Sequence, residues 1–361
     1  MPRVYKTIRK ELKLPKIIHL IGTNGKGTTG RFLATALYKL GYKTGHYSSP
    51  HILEFNERIW LNGELVSYQI LESAHQKLLT LLEKKDADAL SYFEYTTLLA
   101  ILVYEDCDYI VLEAGLGGEH DATAVFENIL TVVTPIGKDH EAFLGETIAA
   151  IATTKLNAVR KGLVIAQQPY SEVYDIAKSI AKYKKVFFYK AEELLEEIDL
   201  VNINAVASQL SLAQYLQDNL SVAIAVLKYL KIEYTNDAFE NAQLFGRLSK
   251  IANNIILDVG HNVLAAEQIV KSLKGKKYNL IYNSYKDKNY REILRILRPI
   301  VENIEIITVE DTRIEHKELM QKTLEELGYS YTTFNKIDNS KEYLVFGSFS
   351  VAEAFLKVYR G

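Results

Sequence analysis

Gly22-Thr23-Asn24-Gly25-Lys26-Gly27-Thr28-Thr29 follows directly on the apolar run Ile17-Ile18-His19-Leu20-Ile21. A short apolar run, a glycine-rich turn and a helix-like segment are the parts of a phosphate-binding loop. In such a loop backbone N–H groups and a helix N-terminus face the anion, and a lysine reaches the outer phosphates. Lys26 is placed to be that lysine, and Thr28 or Thr29 to offer a hydroxyl to a magnesium ion. The spacing differs from that of the common loop: two residues separate Gly22 from Gly25, and Gly27 follows the lysine. A chance turn is the alternative; the position between a strand and an amphipathic helix favours a nucleotide.

Other strand ends carry polar groups where the ligand crevice of a parallel sheet lies, beyond the carboxyl ends of the strands. One run ends in Ser48-Ser49-Pro50-His51, another in Glu113 followed by Ala114-Gly115-Leu116-Gly117-Gly118-Glu119-His120-Asp121-Ala122-Thr123. A third ends in Thr134-Pro135-Ile136-Gly137-Lys138-Asp139-His140. Hydroxyl and carboxylate are ordinary magnesium ligands and imidazole a less usual one, so Ser49, Glu113 and His140 form a candidate set. Each has a plain alternative: Ser49 as a cap, Glu113 paired with a lysine, His140 satisfying a turn. Gly-Leu-Gly-Gly lets backbone approach a bulky ligand, or forms a tight turn without one. Farther on, Arg247 of Phe245-Gly246-Arg247 supplies a planar charged fork for phosphate. Asp258 stands at a strand end before Gly260, placed to hold a ribose hydroxyl, and His261 is either a site residue or a helix cap.

Apolar runs of strand length alternate with segments of helical period, the pattern of a doubly wound, mostly parallel sheet in an α/β protein. Strands are expected at Ile17–Ile21, Thr44–Ser48, Tyr109–Glu113, Leu130–Thr134 and Leu163–Ala166. A helix carries Phe32, Leu33, Ala36, Leu37 and Leu40 on one stripe and ends at Gly41 as a left-handed cap. Further helices are expected at Val66–Lys84, Glu94–Tyr104, Thr147–Arg160 and Ser221–Leu230. The pattern breaks around Lys231–Phe245, which predicts a P-loop domain over residues 1–240 and a smaller Rossmann-like α/β domain over 241–361. In the latter, strands are expected at Ile255–Asp258, Tyr278–Tyr282, Ile304–Val309 and Tyr343–Phe346. Its helices are expected at Val263–Leu273, Tyr290–Leu297, Lys317–Leu327 and Ser350–Tyr359. The expected site lies in the cleft between the domains.

A length of 361 residues suits two domains rather than one. Net charge −2 with 24% charged residues gives no sign of a nucleic-acid or membrane partner. No apolar run approaches the ~20 residues needed to span a bilayer, and the basic N-terminal segment has no apolar core. The single cysteine, Cys107, cannot form an internal disulfide and fits a reducing compartment. The expectation is a cytoplasmic monomer.

Taken together, Gly-Thr-Asn-Gly-Lys-Gly-Thr, Tyr-Ser-Ser-Pro-His, Tyr-Phe-Glu-Tyr-Thr, Leu-Glu-Ala-Gly-Leu-Gly-Gly, Asp139-His140, Phe-Gly-Arg and Asp-Val-Gly-His-Asn resemble the folylpolyglutamate synthase/dihydrofolate synthase family of the Mur ligase superfamily. The motifs run in family order over about Ile18 to Phe349, with Lys286-Asp287-Lys288 and Leu344-Val345-Phe346-Gly347-Ser348 as further matching pieces. The loop's extra glycine and Ser-Ser-Pro-His are specific to the folate branch. The resemblance implies a Mur ligase-like fold and an ATP site made of Thr23, Asn24, Gly25, Lys26, Gly27, Thr28, Asn219, Arg247 and Asp258. It implies two magnesium ions held by Thr28, Ser49, Glu113, His140 and a carbamylated Lys155, with His261 near the γ-phosphate. A pterin-containing substrate would meet Tyr92, Phe93, Glu94, His120, Asp121 and Ala122. By sequence alone Lys155 is a helix lysine, ordinarily solvated, and its neighbours Thr154, Leu156 and Asn157 depart from the family's Glu-Lys-Ala-Gly. Met1–Pro15 is shorter than the family's leading segment, part of which touches dihydropteroate in bifunctional members. The implied reaction adds L-glutamate to a folate carboxylate through an acyl phosphate. Tetrahydrofolate and dihydropteroate are the implied acceptors, with a monofunctional folylpolyglutamate synthase, another Mur-type ligase and a regulatory ATPase as alternatives.

Overall fold

Strand-forming runs bounded by helices produce two sheets, one in each of two compact units. The computed structural model describes residues 1–360. One unit comprises Met1–Gly137 and Glu141–Gln243, the other Lys138–His140 and the chain from Leu244 onward.

The first unit contains β1 (Lys16–Ile21), β2 (Thr44–Tyr47), β3 (Ile59–Leu61), β4 (Glu64–Leu65), β5 (Tyr109–Glu113), β6 (Leu130–Val133), β7 (Gly162–Ile165) and β8 (Phe187–Lys190). They form one sheet in the order β4-β3-β2-β5-β1-β6-β7-β8, parallel throughout except that β3 runs antiparallel to both β2 and β4. Its main helices are α1 (Pro2–Ile8), α2 (Lys26–Lys39), α3 (Tyr68–Leu81), α4 (Lys84–Ala87), α5 (Tyr92–Val103), α6 (Glu141–Leu144), α7 (Ile148–Leu156), α8 (Glu172–Lys184), α9 (Glu197–Gln209) and α10 (Gln214–Tyr229). β1 is central because its run is apolar on both faces, as a parallel strand covered by helices requires. Ile18 and Leu20 join the core under α2 and α10, while Ile17 joins the core under α3 and α5. Each such side chain contributes about 1.5–3 kcal/mol through removal from water. Gly41, with φ of 94°, follows α2 in the left-handed region, as its sequence predicts.

The helix expected over Val66–Lys84 is shorter and divided, because Ser67 caps α3 by accepting from the Ile70 amide. Thr147 likewise caps α7. α10 begins at Gln214, earlier than expected. The antiparallel β3–β4 ribbon, β8, α1, α8 and α9 were not anticipated.

In the second unit β9 (Ser249–Ala252), β10 (Ile255–Leu257), β11 (Tyr278–Tyr282), β12 (Val301–Ile306), β13 (Tyr331–Thr333) and β14 (Tyr343–Phe346) are ordered β13-β12-β11-β14-β10-β9. All are parallel except β9. α11 (Val263–Ser272), α12 (Tyr290–Leu297), α13 (Lys317–Glu326) and α14 (Phe349–Arg360) complete the unit. β12 begins three residues before the expected Ile304. Among the described residues no helix is long and apolar enough to cross a membrane.

Candidate active site

β1 lies between β5 and β6, so its carboxyl end opens where the strand order reverses, the usual ligand position in such sheets. The phosphate loop begins there and enters α2. Gly25 is the N-cap of α2 at φ of 87°, in the left-handed region, and no side chain caps the helix. A Cβ at Gly25 would also lie 2.4 Å from Asn219 Oδ1, so glycine is required on two counts. Asn219, reaching over from α10, accepts from Thr29 Oγ1 at 3.3 Å. The Thr23 and Asn24 amides both donate to the Pro135 carbonyl, and Thr23 Oγ1 is hydrogen bonded to Gly137. Thr28 is buried in the first turn of α2. Lys26 Nζ donates to the Gly22 and Thr23 carbonyls at 3.2 Å each and lies 3.8 Å from Glu113 Oε1.

Glu113 ends β5 with its side chain buried, and its Oε2 accepts from the Ser49 amide at 3.4 Å. The fold therefore gathers Lys26, Glu113 and Ser49 from three strand ends. Lys155 joins them: it is only 5% exposed, and its Nζ donates to the Gly22 carbonyl at 2.9 Å. The solvated lysine expected of a helix is thus corrected, because α7 is pressed inward by the segment following β5. A Cβ at Gly118 would lie 2.4 Å from the Lys155 carbonyl, and the Glu119 amide donates to Thr154. The glycines of this segment serve the protein's own packing: Gly118 against α7 and Gly115 against the ring of Phe93. Among the described residues, no group of three or more His, Cys, Asp or Glu side chains could hold a metal. The carboxylate beside the loop lysine is that of Glu113, which also accepts from the Ser49 amide.

The expected pterin contacts divide. Tyr92 is 60% exposed, and His120 is exposed. Phe93 packs against Tyr47 with ring centroids 5.9 Å apart. Glu94 and Ser91 form a capping box that starts α5. Asp121 is buried, accepting from the Leu116 and Thr123 amides and from Thr123 Oγ1, and Ala122 is buried beside it. Desolvation raises the Asp121 pKa, against the hydrogen bonds that lower it. An open cavity of about 430 Å³ lies alongside, lined by Phe55, Leu90, Ser91, Tyr92, Tyr95, Thr96 and Leu99. Arg58 stacks over Tyr92, its guanidinium carbon 5.5 Å from the ring centroid, and Arg58 Nε donates to His51 Nδ1 at 2.8 Å.

In the second unit Asp258 is buried at the end of β10, accepting from the Leu248 and Gly260 amides. It ties the turn carrying Arg247 to the segment carrying His261. Arg247 donates to the Gly246 carbonyl and stacks over Phe349, its guanidinium carbon 5.4 Å from the ring centroid. His261 does not cap the helix: Asn262 does, by accepting from the Ala265 amide. His261 Nδ1 is 3.1 Å from the Val259 carbonyl, and its Nε2 is 3.6 Å from Asp139. Asp139 also pairs with Lys288 and accepts from Asn262 Nδ2 at 3.1 Å. Burial would raise its pKa, yet His261, Lys288 and His140 together hold the carboxyl far below the usual range. His140, in the left-handed region at φ of 54°, has its Nε2 3.9 Å from Asp139. Lys288 and Asn262 received no role from sequence, although both lie in motifs legible there. Buried His19 was also missed; a polar residue inside an apolar strand run was its signal.

No sequence-family profile matches the chain. The dihydrofolate synthase/folylpolyglutamate synthase of Buchnera aphidicola subsp. Schizaphis graminum is 30% identical over 93% of this chain and 86% of its own length. The crystal structure of Helicobacter pylori folylpolyglutamate synthetase has 37% identity and a TM-score of 0.80, over 99% of this chain and 93% of that one. A bifunctional folylpolyglutamate synthase/dihydrofolate synthase from Yersinia pestis, complexed with AMPPNP and Mn ion, shares the fold at a TM-score of 0.81 and 23% identity. That match covers 99% of this chain and 92% of the Yersinia chain.

Proposed function

Because the chain belongs to the dihydrofolate synthase/folylpolyglutamate synthase family, we propose that it joins L-glutamate to a folate-type carboxylate with ATP, accepting both dihydropteroate and tetrahydrofolate. The observation that carries this reading is the glycine-built loop whose lysine, Lys26, sits beside the buried Glu113, with Lys155 Nζ on the loop's own Gly22 carbonyl.

In the first step a carboxylate oxygen of the acceptor attacks the γ-phosphorus, the bond to the β,γ-bridging oxygen breaks, and ADP leaves. The glutamate amine then attacks the acyl carbon, the carbon–oxygen bond to phosphate breaks, and the amine gives up a proton. The obstacle in the first step is repulsion between anions, which grows as the effective dielectric falls. Lys26 and the uncapped first turn of α2 answer it with positive charge and oriented N–H groups, so catalysis rests on positioning and electrostatics. The family resemblance assigns the remaining ATP contacts to Asn219, Arg247 and Asp258, and a role at the γ-phosphate to His261.

A divalent cation fits the donor set: Thr28, Ser49 and Glu113 present hard oxygens, and His140 is the added ligand that the family resemblance implies. When bound, the cation screens the charge of the phosphate oxygens. Lys155, enclosed and already directed at the loop, is the residue suited to carbamylation, which would convert an amine donor into an oxygen ligand for a second ion. The cavity beside Tyr92 is our choice for the acceptor's aromatic part, with Phe93 and Glu94 next to Tyr92 in sequence and His120, Asp121 and Ala122 supplied by the segment after β5, whose Gly115 lies against the Phe93 ring. The deciding assay follows glutamate-dependent ADP formation with dihydropteroate and with tetrahydrofolate. Turnover with both is expected, and none with either overturns the reading.

A further inference from the structure

His19 lies in the middle of β1, only 1% exposed, three residues before the phosphate loop. Its Nε2 is 2.8 Å from Thr123 Oγ1, which in turn lies 2.5 Å from Asp121 Oδ1. The direction of this chain follows from counting protons. Thr123 Oγ1 has one hydrogen and gives it to the carboxylate, so the hydrogen between His19 and Thr123 belongs to His19 Nε2. Nδ1 is then the bare nitrogen, and it has no hydrogen-bond partner. The imidazole stays neutral because burial, and then the nearby Arg160, oppose its charging and lower its pKa to about 4.

At the far end, Asp121 holds backbone. Its Oδ2 accepts at 2.8 Å from the amide of Leu116, the residue next to Gly115, and its Oδ1 accepts from the Thr123 amide. Gly115 in turn lies against the ring of Phe93, where a Cβ would be 2.6 Å from the ring. A hydrogen-bond chain therefore runs from the strand that launches the phosphate loop to the segment that supports Phe93. We propose that His19 is a positioning residue for the folate acceptor, fixing residues 115–123 and the Phe93 ring through Thr123 and Asp121. This rests on the reading of that segment as the acceptor's wall.

Three variants of the full-length protein test the relay. His19→Leu removes the donor together with the orphan nitrogen, Thr123→Val cuts the middle link, and His19→Gln can return an N–H near the Nε2 position. Amide exchange over residues 113–124 is the readout that needs no activity. Protection should fall about tenfold in His19→Leu and Thr123→Val and return in His19→Gln. Unchanged exchange in the first two overturns the relay whatever the kinetics show. The kinetic readout should show a roughly tenfold rise in KM for tetrahydrofolate, with KM for ATP within about twofold and the melting temperature of His19→Leu not lowered. Parallel rises in both KM values, or a fall in melting temperature alone, would leave His19 a structural residue and sink the proposal. Wild-type protein that turns over no folate would refute the ligase reading, while the exchange experiment would still decide whether the relay exists.

Discussion

Lys26 and Lys155 approach the same loop carbonyl, Gly22, from different elements, yet they have different work. In the proposed site Lys26 opposes phosphate charge and fills no core, so Lys26→Ala should lower kcat/KM by on the order of 10²–10³-fold, with the melting temperature little changed. Near-normal turnover in a folded Lys26→Ala protein would remove the loop from the ATP site. Glu113→Gln should shift the magnesium titration to higher concentration, since it exchanges a charged ligand for a neutral one. An unmoved titration would exclude Glu113 as a ligand. Lys155→Ala should lose most activity and regain part of it with added short carboxylates. An intact mass without the carbamate, together with full activity of Lys155→Ala, would defeat that assignment.

At the level of elements, the sheet holds two histidines that cannot readily charge. His19 on β1 has its pKa lowered to about 4, and that of His46 on β2 is well below its ordinary value. Burial is the main cause for both, followed by Arg160 for His19 and Arg31 for His46. In the unfolded chain each titrates near ~6.5, so between pH 6.5 and 4 the unfolded state binds more protons. Stability is full above pH 6.5 and declines as pH falls. His19 alone accounts for a loss of about 2 kcal/mol by pH 5. Urea melts at pH 5 and 7 should show that loss, smaller in His19→Leu, and equal losses in the two proteins would contradict it. A second element-scale expectation concerns the close approach of the segment after β5 to α7. Gly118→Ala should destabilise by about 1–3 kcal/mol and lower activity by displacing Lys155. A calorimetric melt and an initial-rate assay check both parts.

For the whole molecule, the proposed function involves two acceptors that differ beyond the benzoyl group. Dihydropteroate ends in a benzoic carboxylate, whereas tetrahydrofolate already carries a glutamate. A single acceptor site would have to place two carboxylates at different distances from the pterin against the same phosphate. Competition kinetics should show each acceptor inhibiting the other's turnover, with ATP affinity unchanged. Independent, non-competing turnover would require two acceptor sites.

The phosphate loop, Glu113, the strand runs and the α/β class were legible in the sequence because each is local. A glycine-rich turn, an apolar run and a helical stripe act through neighbours within a few residues of one another. β8 and β13 escaped because edge strands with exposed or polar faces lack that apolar signature, and the β3–β4 ribbon is too short to show one. The hydrogen bonding of Asp121 escaped for a different reason: its carboxylate accepts from Leu116 and Thr123, and Thr123 is in turn hydrogen bonded to His19, which only the fold brings there. Lys155 reads as a solvated helix residue until Gly118 presses α7 inward. Residue types and order were fixed along the chain, whereas burial and hydrogen-bond partners come from segments far apart in it, and only the packed fold brings those segments together.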